Sequence, residues 1–227
     1  MDQIVEGGGL LTAKTKKSRK ERILDAAEEL FADSGYDGVT LRQIAKAAKV
    51  DVALASYHYG RKRELFDAVL YRRAEVLNQV RNDALDTCIA TAKDGKPTVE
   101  AIIEAYLRPL GEIQASADGG WRHYLALIAW VNNSPKMGGE LMTRYFNPLV
   151  SRFIDALRLA LPDADEQALY WGYHYLSGAL TLTFADTHRL DTLSKGTAIS
   201  SDFKTGYAHM IPFIAAGMKA ICANGKP

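Results

Sequence analysis

The chain has 227 residues, of which 48% are hydrophobic and 24% charged, enough apolar material for one large core or two small ones. Lys and Arg number 28 against 27 Asp and Glu, and the formal net charge of +1 excludes a polycation. No stretch approaches the roughly 20 apolar residues of a membrane span, and the N-terminus lacks the pattern of a secretory signal, so we expect a cytoplasmic protein with no membrane partner.

Positive charge is concentrated near the N-terminus. Residues 1–17 are Gly-rich and then basic, and they are predicted to form a flexible basic arm. Clustered cations neutralise phosphate and release counterions, so this arm suits a nucleic acid, although a solvated tail without a partner is an alternative. The basic residues in this arm and directly after it are Lys14, Lys16, Lys17, Arg19, Lys20 and Arg22.

The first predicted helix runs from about Ser18 to Asp33. Ser18 followed by Glu21 is a capping-box pattern, in which each side chain satisfies a backbone N–H group of the other residue. Gly35 is placed to end this helix in a left-handed conformation. The predicted buried face consists of Ile23, Ala27, Leu30 and Phe31.

The next stretch, Thr40–Tyr59, predicts two short helices joined by a tight turn. Thr40 with Gln43 repeats the capping box, and Asp51 is expected to cap the second helix, Val52–Tyr57. Such a pair forms a helix-turn-helix, whose second helix can enter the major groove of DNA. The spacing by itself fits many other packed helical pairs equally well.

Three features of the region Arg19–Leu70 occur together, namely the segments LFADSGYDGVT and LRQIAKAAKV and the exit formed by Tyr57, His58, Tyr59, Gly60 and Lys62. With these features the region resembles the DNA-binding domain of tetracycline-repressor (TetR) family regulators. One departure is Ser56, which stands where the family often carries a first Tyr. The resemblance implies an all-α fold, with an N-terminal three-helix DNA-binding domain at 18–63 and a C-terminal ligand-binding and dimerisation domain at 64–227.

The same resemblance assigns the contacts with double-stranded DNA. The residues expected to face the major groove are Val52, Ala53, Leu54 and His58. The residues expected to contact phosphates are Thr40, Arg42, Tyr57 and Lys62. Most groove residues are apolar and can contact thymine methyl groups without making bidentate hydrogen bonds, so we expect DNA shape to contribute to recognition. For His58, a packed or exposed side chain without a DNA contact is the alternative.

Helix four is predicted from about Arg61 to Asp86, and a loop follows at 90–96. Its apolar positions are Leu65, Phe66, Val69, Val76, Leu77 and Val80. Beyond Pro97 the sequence predicts only helices, at 98–115, 116–132, 136–145, 148–161, 163–186 and 202–223. A break or kink is expected at Pro148, and Asp163 with Glu166 is read as the cap of the next-to-last helix.

Aromatic residues are frequent in the C-terminal half and suit a mostly apolar pocket, which the resemblance also implies. The residues expected to contact an effector are Tyr106, Trp121, Tyr124, Trp130, Trp171 and His174. An ordinary hydrophobic core is the alternative reading of the same pattern. The expected effector is apolar or aromatic, with or without a carboxylate. The family resemblance further implies a homodimer formed through the last two long helices.

Together these features predict a transcriptional regulator, namely a ligand-released repressor that binds a palindromic operator as a homodimer. The alternative is a helical interaction module whose helix-turn-helix does not bind DNA. An enzyme is disfavoured, because the sequence contains no Glu-x-x-His pair, no His-Glu-x-x-His motif, no phosphate-binding glycine loop and no Gly-x-Ser-x-Gly turn. No cofactor and no metal are expected.

Overall fold

The computed structural model describes residues 17–115 and 119–223. Within these ranges the chain forms helices and no strand, which confirms the predicted all-α class. The helices are α1 (Arg19–Ser34), α2 (Leu41–Ala47), α3 (Val52–Tyr59), α4 (Lys62–Thr91), α5 (Val99–Ala115), α6 (Gly120–Asn132), α7 (Gly138–Ala160), α8 (Glu166–Ala185), α9 (Arg189–Leu193) and α10 (Phe203–Ala223). Except for Lys17, the predicted basic arm lies outside the described residues.

Both predicted capping boxes are present and fix where α1 and α2 begin. Glu21 N–H donates to the Ser18 hydroxyl at 3.1 Å, and Ser18 N–H donates to the Glu21 carboxylate at 2.7 Å. Thr40 and Gln43 exchange the equivalent hydrogen bonds at 3.3 and 2.8 Å. Helix α1 ends at Ser34, and Gly35 after it has a φ of 66° and a ψ of 176°, a conformation that favours glycine but is not the predicted left-handed helical one. The sequence therefore determines these boundaries locally.

The turn between α2 and α3 is tight. Lys49 has a φ of 55°, and Val50 N–H donates to the Ala45 carbonyl at 3.0 Å, which closes the end of α2. Ala55 is fully buried and holds α3 against the other two helices of the head. Asp51 stands at the predicted N-cap position, but its side chain makes no capping hydrogen bond.

Helix α4 has 30 residues and spans about 45 Å, so it belongs both to the head and to the C-terminal half. Its buried face differs from the predicted one, because Val76 is 49% exposed. Arg73 and Arg81 instead occupy buried positions on the same face as Leu77. The apolar pattern misplaced part of this face because two core-facing positions carry charged residues.

Two predictions for helix ends in the C-terminal half differ from the structure. Helix α7 is continuous through Pro148, so a break at this proline is wrong, and Phe146 and Phe153 on either side of it are buried. Helix α8 begins at Glu166, and Asp165 rather than Asp163 stands at its N-cap position, without a side-chain capping hydrogen bond. The Glu166 carboxylate pairs with Arg158 of α7 and is therefore not used as a cap.

The head and the C-terminal half share one continuous hydrophobic core. Trp130 of α6 packs edge-on against Phe66 of α4, with 6.4 Å between ring centroids. Its indole also lies against Gly35, where an added Cβ would stand 3.0 Å from the ring. A glycine at the end of α1 thus allows α6 to approach the DNA-binding head closely. Among the described residues, no helix is long and apolar enough to cross a membrane.

A buried carboxylate joins α1 to α4. The side chain of Glu28 is only 2% exposed, and its oxygens accept hydrogen bonds from Arg72 at 2.8 Å and from Arg73 at 2.8 and 3.0 Å. Arg72 also donates to Asp25 at 2.7 Å, and the Arg73 guanidinium lies 4.7 Å from the ring centroid of Trp121. This cluster joins charged groups of α1 and α4 and brings an aromatic ring of α6 into contact with them.

We expect Glu28→Gln to lower the free energy of unfolding by about 3 kcal/mol, because it leaves two arginines without the buried carboxylate that compensates them. The neighbouring Glu29 is exposed, so Glu29→Gln is the matched control and should change stability by less than about 0.5 kcal/mol. Urea denaturation followed by circular dichroism measures both variants. Equal stabilities for the two would show that the cluster is not a stabilising contact.

Candidate nucleic-acid interface and effector cavity

The outer face of α3 carries the predicted groove residues. Val52 is 39% exposed and Ala53 is also exposed, while Leu54 is half-buried. Ala55, directly after them, is fully buried and sets the orientation of the helix. This short helix therefore presents a small apolar surface outward, as a helix that contacts thymine methyl groups would.

Aromatic side chains follow at the end of α3. Tyr57 is 83% exposed, and its hydroxyl makes no hydrogen bond with the described residues, so it is available to an external acceptor. The His58 ring packs edge-on against Tyr57 at 5.4 Å and is half-buried. Tyr59 packs against the core, and its hydroxyl donates to the Lys20 carbonyl at 3.1 Å. Burial raises the pKa of Tyr59 to about 12, so this hydroxyl stays protonated.

The start of α2 holds the next two predicted phosphate contacts. The Thr40 hydroxyl donates to the Gln43 side chain at 2.7 Å as part of the capping box. Arg42 is exposed and makes no ion pair with any residue that the structure describes. Sequence reasoning did not single out Lys46, Lys49 and Arg61, which are exposed and likewise unpaired within the described ranges. Their common signal is positive charge directly beside the two short helices.

Lys62 has a different environment from the other predicted phosphate contacts. Its ammonium donates to the backbone carbonyls of Tyr36 and Val39, both at 3.0 Å, and lies 4.2 Å from the ring centroid of Tyr36. These contacts tie the start of α4 to the segment between α1 and α2. The geometry gives Lys62 a structural role, and its phosphate contact stays a prediction.

A second candidate site is a small, partly open cavity lined by residues of α4, α5, α6, α7 and α8. Its volume is about 30 Å³, enough for water but far below the ~300–1,000 Å³ of a typical ligand pocket. Most lining residues are apolar or aromatic, and a few carry hydroxyl groups. They are Leu77, Arg81, Tyr106, Leu125, Ile128, Met142, Phe146, Tyr173, Ser177, Leu180, Thr181 and Phe184.

Among the residues predicted to contact an effector, Tyr106 lines this cavity and the other five lie elsewhere. Trp121 and Tyr124 pack edge-on against each other, and the buried Tyr124 hydroxyl donates to the Leu70 carbonyl at 3.1 Å. Trp130, as described above, packs beneath the head. Trp171 and His174 lie on the exposed side of α8 with their rings 5.5 Å apart.

Sequence reasoning missed the most polar group of the cavity, Arg81. This residue is only 5% exposed, and its Nε donates to the Tyr106 carbonyl at 3.0 Å. Its guanidinium carbon lies 3.9 Å from the centroid of the Tyr106 ring. The available signal was a second arginine, eight positions after Arg73, on the buried face of α4.

Together, the three-helix head with its exposed α3 and the helical half joined to it by α4 have the architecture of a helix-turn-helix regulator. Residues 23–69 match the model of the bacterial regulatory proteins of the tetR family, and residues 104–217, about half of the chain, match the tetracyclin repressor-like C-terminal domain. The chain belongs to the tetracycline repressor family, and it is a DNA-binding transcriptional regulator.

Curated relatives support this assignment. The HTH-type transcriptional regulator BetI of Rhizobium meliloti is 27% identical over 154 residues, which cover 68% of this chain and 71% of BetI. The negative transcriptional regulator IcaR of the biofilm operon in Staphylococcus epidermidis is 43% identical over 47 residues, covering 21% of this chain and 25% of IcaR. These relatives and the matching family models describe regulators and not enzymes.

Solved structures share the fold at low sequence identity. A proposed fatty acid metabolism regulator of Clostridium perfringens superposes with a TM-score of 0.62 at 20% identity, covering 86% of this chain and 97% of that one. A proposed transcriptional regulator of Saccharomonospora viridis, in complex with choline, gives a TM-score of 0.56 at 19% identity, covering 86% and 94%. At these identities the similarity establishes the fold only.

We expect Lys62→Met to lower the free energy of unfolding by about 1.5–3 kcal/mol, because it removes charged hydrogen bonds to two carbonyls. Lys46→Met, on the exposed side of α2, is the matched control and should change stability by less than about 0.5 kcal/mol. Urea denaturation measures the effect. A Lys62→Met protein as stable as wild type would refute the structural role and favour the phosphate contact alone.

Proposed function

We propose that this regulator is a ligand-released repressor, which acts in the cytoplasm and binds a palindromic operator as a homodimer. The observation that carries the proposal is α4 itself. Its first residue, Lys62, anchors the helix in the DNA-binding head, and Leu77 and Arg81 further along it line the cavity. One rigid helix therefore connects the surface that meets DNA to a cavity about 28 Å away along its axis.

The exposed faces of α8 and α10 support the homodimer. Trp171, Tyr175 and Leu182 lie at helical spacing along one side of α8 and are 49%, 57% and 71% exposed. On α10, Phe213 is 74% exposed, and Ala216 beside it is exposed too. Exposed apolar side chains on two neighbouring helices are typical of an interface between subunits. This proposal also accounts for the exposure of Trp171 and its neighbour His174.

Small residues on the same faces would allow two subunits to approach closely. An added Cβ at Gly178 of α8 or at Gly217 of α10 would meet no atom within 4 Å in the single chain. Two symmetry-related heads read two half-sites, whose centres lie about 34–36 Å apart or at a multiple of that distance. A dimer therefore implies a palindromic operator.

The size of the cavity supports release by a ligand. At about 30 Å³ it cannot admit an effector of ordinary size, so binding has to separate the surrounding helices. An effector then prefers the open arrangement, moves α4, and shifts the equilibrium away from the form that binds DNA. A coupling of about 1–3 kcal/mol would weaken operator binding by roughly 5- to 150-fold.

The lining of the cavity indicates the general character of the effector. It is mainly apolar and aromatic, which suits an apolar or aromatic compound. One structural relative binds choline, but a quaternary ammonium group is disfavoured here because the guanidinium of Arg81 lies in the wall. Repulsion between like charges in a buried site opposes such a ligand.

The proposed DNA contacts are tested with two variants, of which one removes a positive charge and the other removes only a hydroxyl group. Arg42→Ala should lower the slope of log K against log salt concentration by about 0.9, because one phosphate contact is lost. Tyr57→Phe should weaken binding by roughly 2- to 10-fold without changing this slope, because only a hydroxyl is lost. Fluorescence anisotropy on duplex DNA from upstream of the chain's own gene measures both.

Arg108→Ala is the control for these measurements, since Arg108 is an exposed cation on α5, away from the head. It should bind like wild type. Binding of no duplex at all by wild-type protein at low salt would refute the repressor proposal. The interaction-module alternative would then take its place.

The dimer is tested by placing a charge on its proposed face. Phe213→Glu should give a monomer and weaken operator binding by about 100-fold or more, because the two heads are no longer linked. Leu159→Glu is the matched control, since Leu159 is 48% exposed on α7. Light scattering coupled to size-exclusion chromatography gives the mass of each variant. A dimeric Phe213→Glu protein would place the interface elsewhere.

A further inference from the structure

The buried guanidinium of Arg81 has no counter-ion among the residues that the structure describes. Its one hydrogen bond joins Nε to the Tyr106 carbonyl at 3.0 Å, and both terminal nitrogens lack a protein partner within the same ranges. No described carboxylate lies within the 4.0 Å of an ion pair with it. Arg73, eight positions earlier on the same face of α4, is by contrast held by Glu28.

This arrangement is energetically unusual. A buried charge is costly unless it is paired and hydrogen-bonded, and stacking over the Tyr106 ring compensates only part of that cost. Water can occupy a cavity of about 30 Å³ and satisfy the free N–H groups, but it does not neutralise the charge. The site therefore lacks one negative charge.

The surroundings of Arg81 define where that charge would be. Arg81 lines the cavity together with the hydroxyl-bearing residues Tyr173, Ser177 and Thr181. Burial raises the pKa of Tyr173 well above its ordinary value, so its hydroxyl remains a neutral donor. The rest of the wall is apolar or aromatic. A ligand that fits has one anionic end and an apolar body.

We propose that Arg81 is the anchor for the carboxylate of an apolar effector, and that this carboxylate is the counter-ion the buried guanidinium lacks. The inference rests on the proposed ligand-released function and makes its effector an anion. A guanidinium presents parallel N–H groups that match the two oxygens of a carboxylate. The anion would bind α4 directly, on the helix that carries the head.

The test compares acids with alcohols of the same shape. The probes are octanoate with 1-octanol and 3-phenylpropanoate with 3-phenyl-1-propanol, titrated into the full-length wild-type protein by isothermal calorimetry. At least one acid should bind wild type about 10- to 100-fold more tightly than its alcohol, as expected for charge-assisted hydrogen bonds. Arg81→Met should remove this preference, and Arg81→Lys should keep part of it.

Arg108→Met is the control with the same change in charge, made at an exposed site outside the cavity, and it should keep the full preference. The thermal midpoint of unligated Arg81→Met provides a second readout. It should equal or exceed that of wild type, because the substitution removes an uncompensated buried charge. A large drop would instead assign Arg81 a purely structural role and overturn the proposal.

Other outcomes also decide the question. If no acid binds better than its alcohol, or if the preference persists in Arg81→Met, the assignment of Arg81 fails. Operator binding by wild type, measured by anisotropy in the same buffer with and without the acids, separates this failure from that of the repressor proposal. If wild type binds the operator but shows no preference for an acid, the Arg81 proposal fails and the repressor proposal is kept. If wild type prefers an acid but does not bind the operator, the repressor proposal fails and the anion site is kept.

Discussion

The position of the DNA-binding head depends on the buried carboxylate of Glu28. Two adjacent arginines of α4 hold it, and one of them, Arg73, also stacks on Trp121 of α6. A buried ion cluster is specific in geometry, because any displacement leaves a charge without its partner. The head, α4 and α6 are therefore constrained to one arrangement, with Trp130 packed under Gly35 as the apolar counterpart of the same junction.

Three cationic side chains along helix α4 make three different kinds of contact. Lys62 satisfies backbone carbonyls of the head, Arg73 satisfies a buried carboxylate, and Arg81 contacts a carbonyl and an aromatic ring while its charge stays uncompensated. Of these cations only Arg73 is paired with a carboxylate; Lys62 is part-buried and hydrogen-bonded to the head, and Arg81 lines the cavity. Under our proposals, a ligand at Arg81 acts on the same helix that the first two contacts fix to the head.

Local chemistry allowed the head to be predicted well from sequence. The Ser18 and Thr40 capping boxes depend only on residues three positions apart. The end of α1 depends only on the ability of Gly35 to adopt a positive φ. The buried face of α4 was less accessible, because Arg73 and Arg81 are buried only through partners on other helices. The aromatic pattern could not separate cavity from core or surface. Of the six aromatic and histidine residues proposed, Tyr106 alone lines the cavity, since side-chain direction depends on helix packing.

Under the proposed release by a ligand, the small size of the cavity has a consequence for the dose response of the regulator. If only a fraction of the molecules is open enough to admit an effector, the apparent dissociation constant equals the intrinsic one divided by that fraction. The volume of about 30 Å³ therefore raises the effector concentration that releases the operator above the intrinsic dissociation constant. Substitutions that enlarge the cavity, such as Phe146 to a smaller residue, would lower this concentration and make the switch respond to scarcer ligand without any new contact.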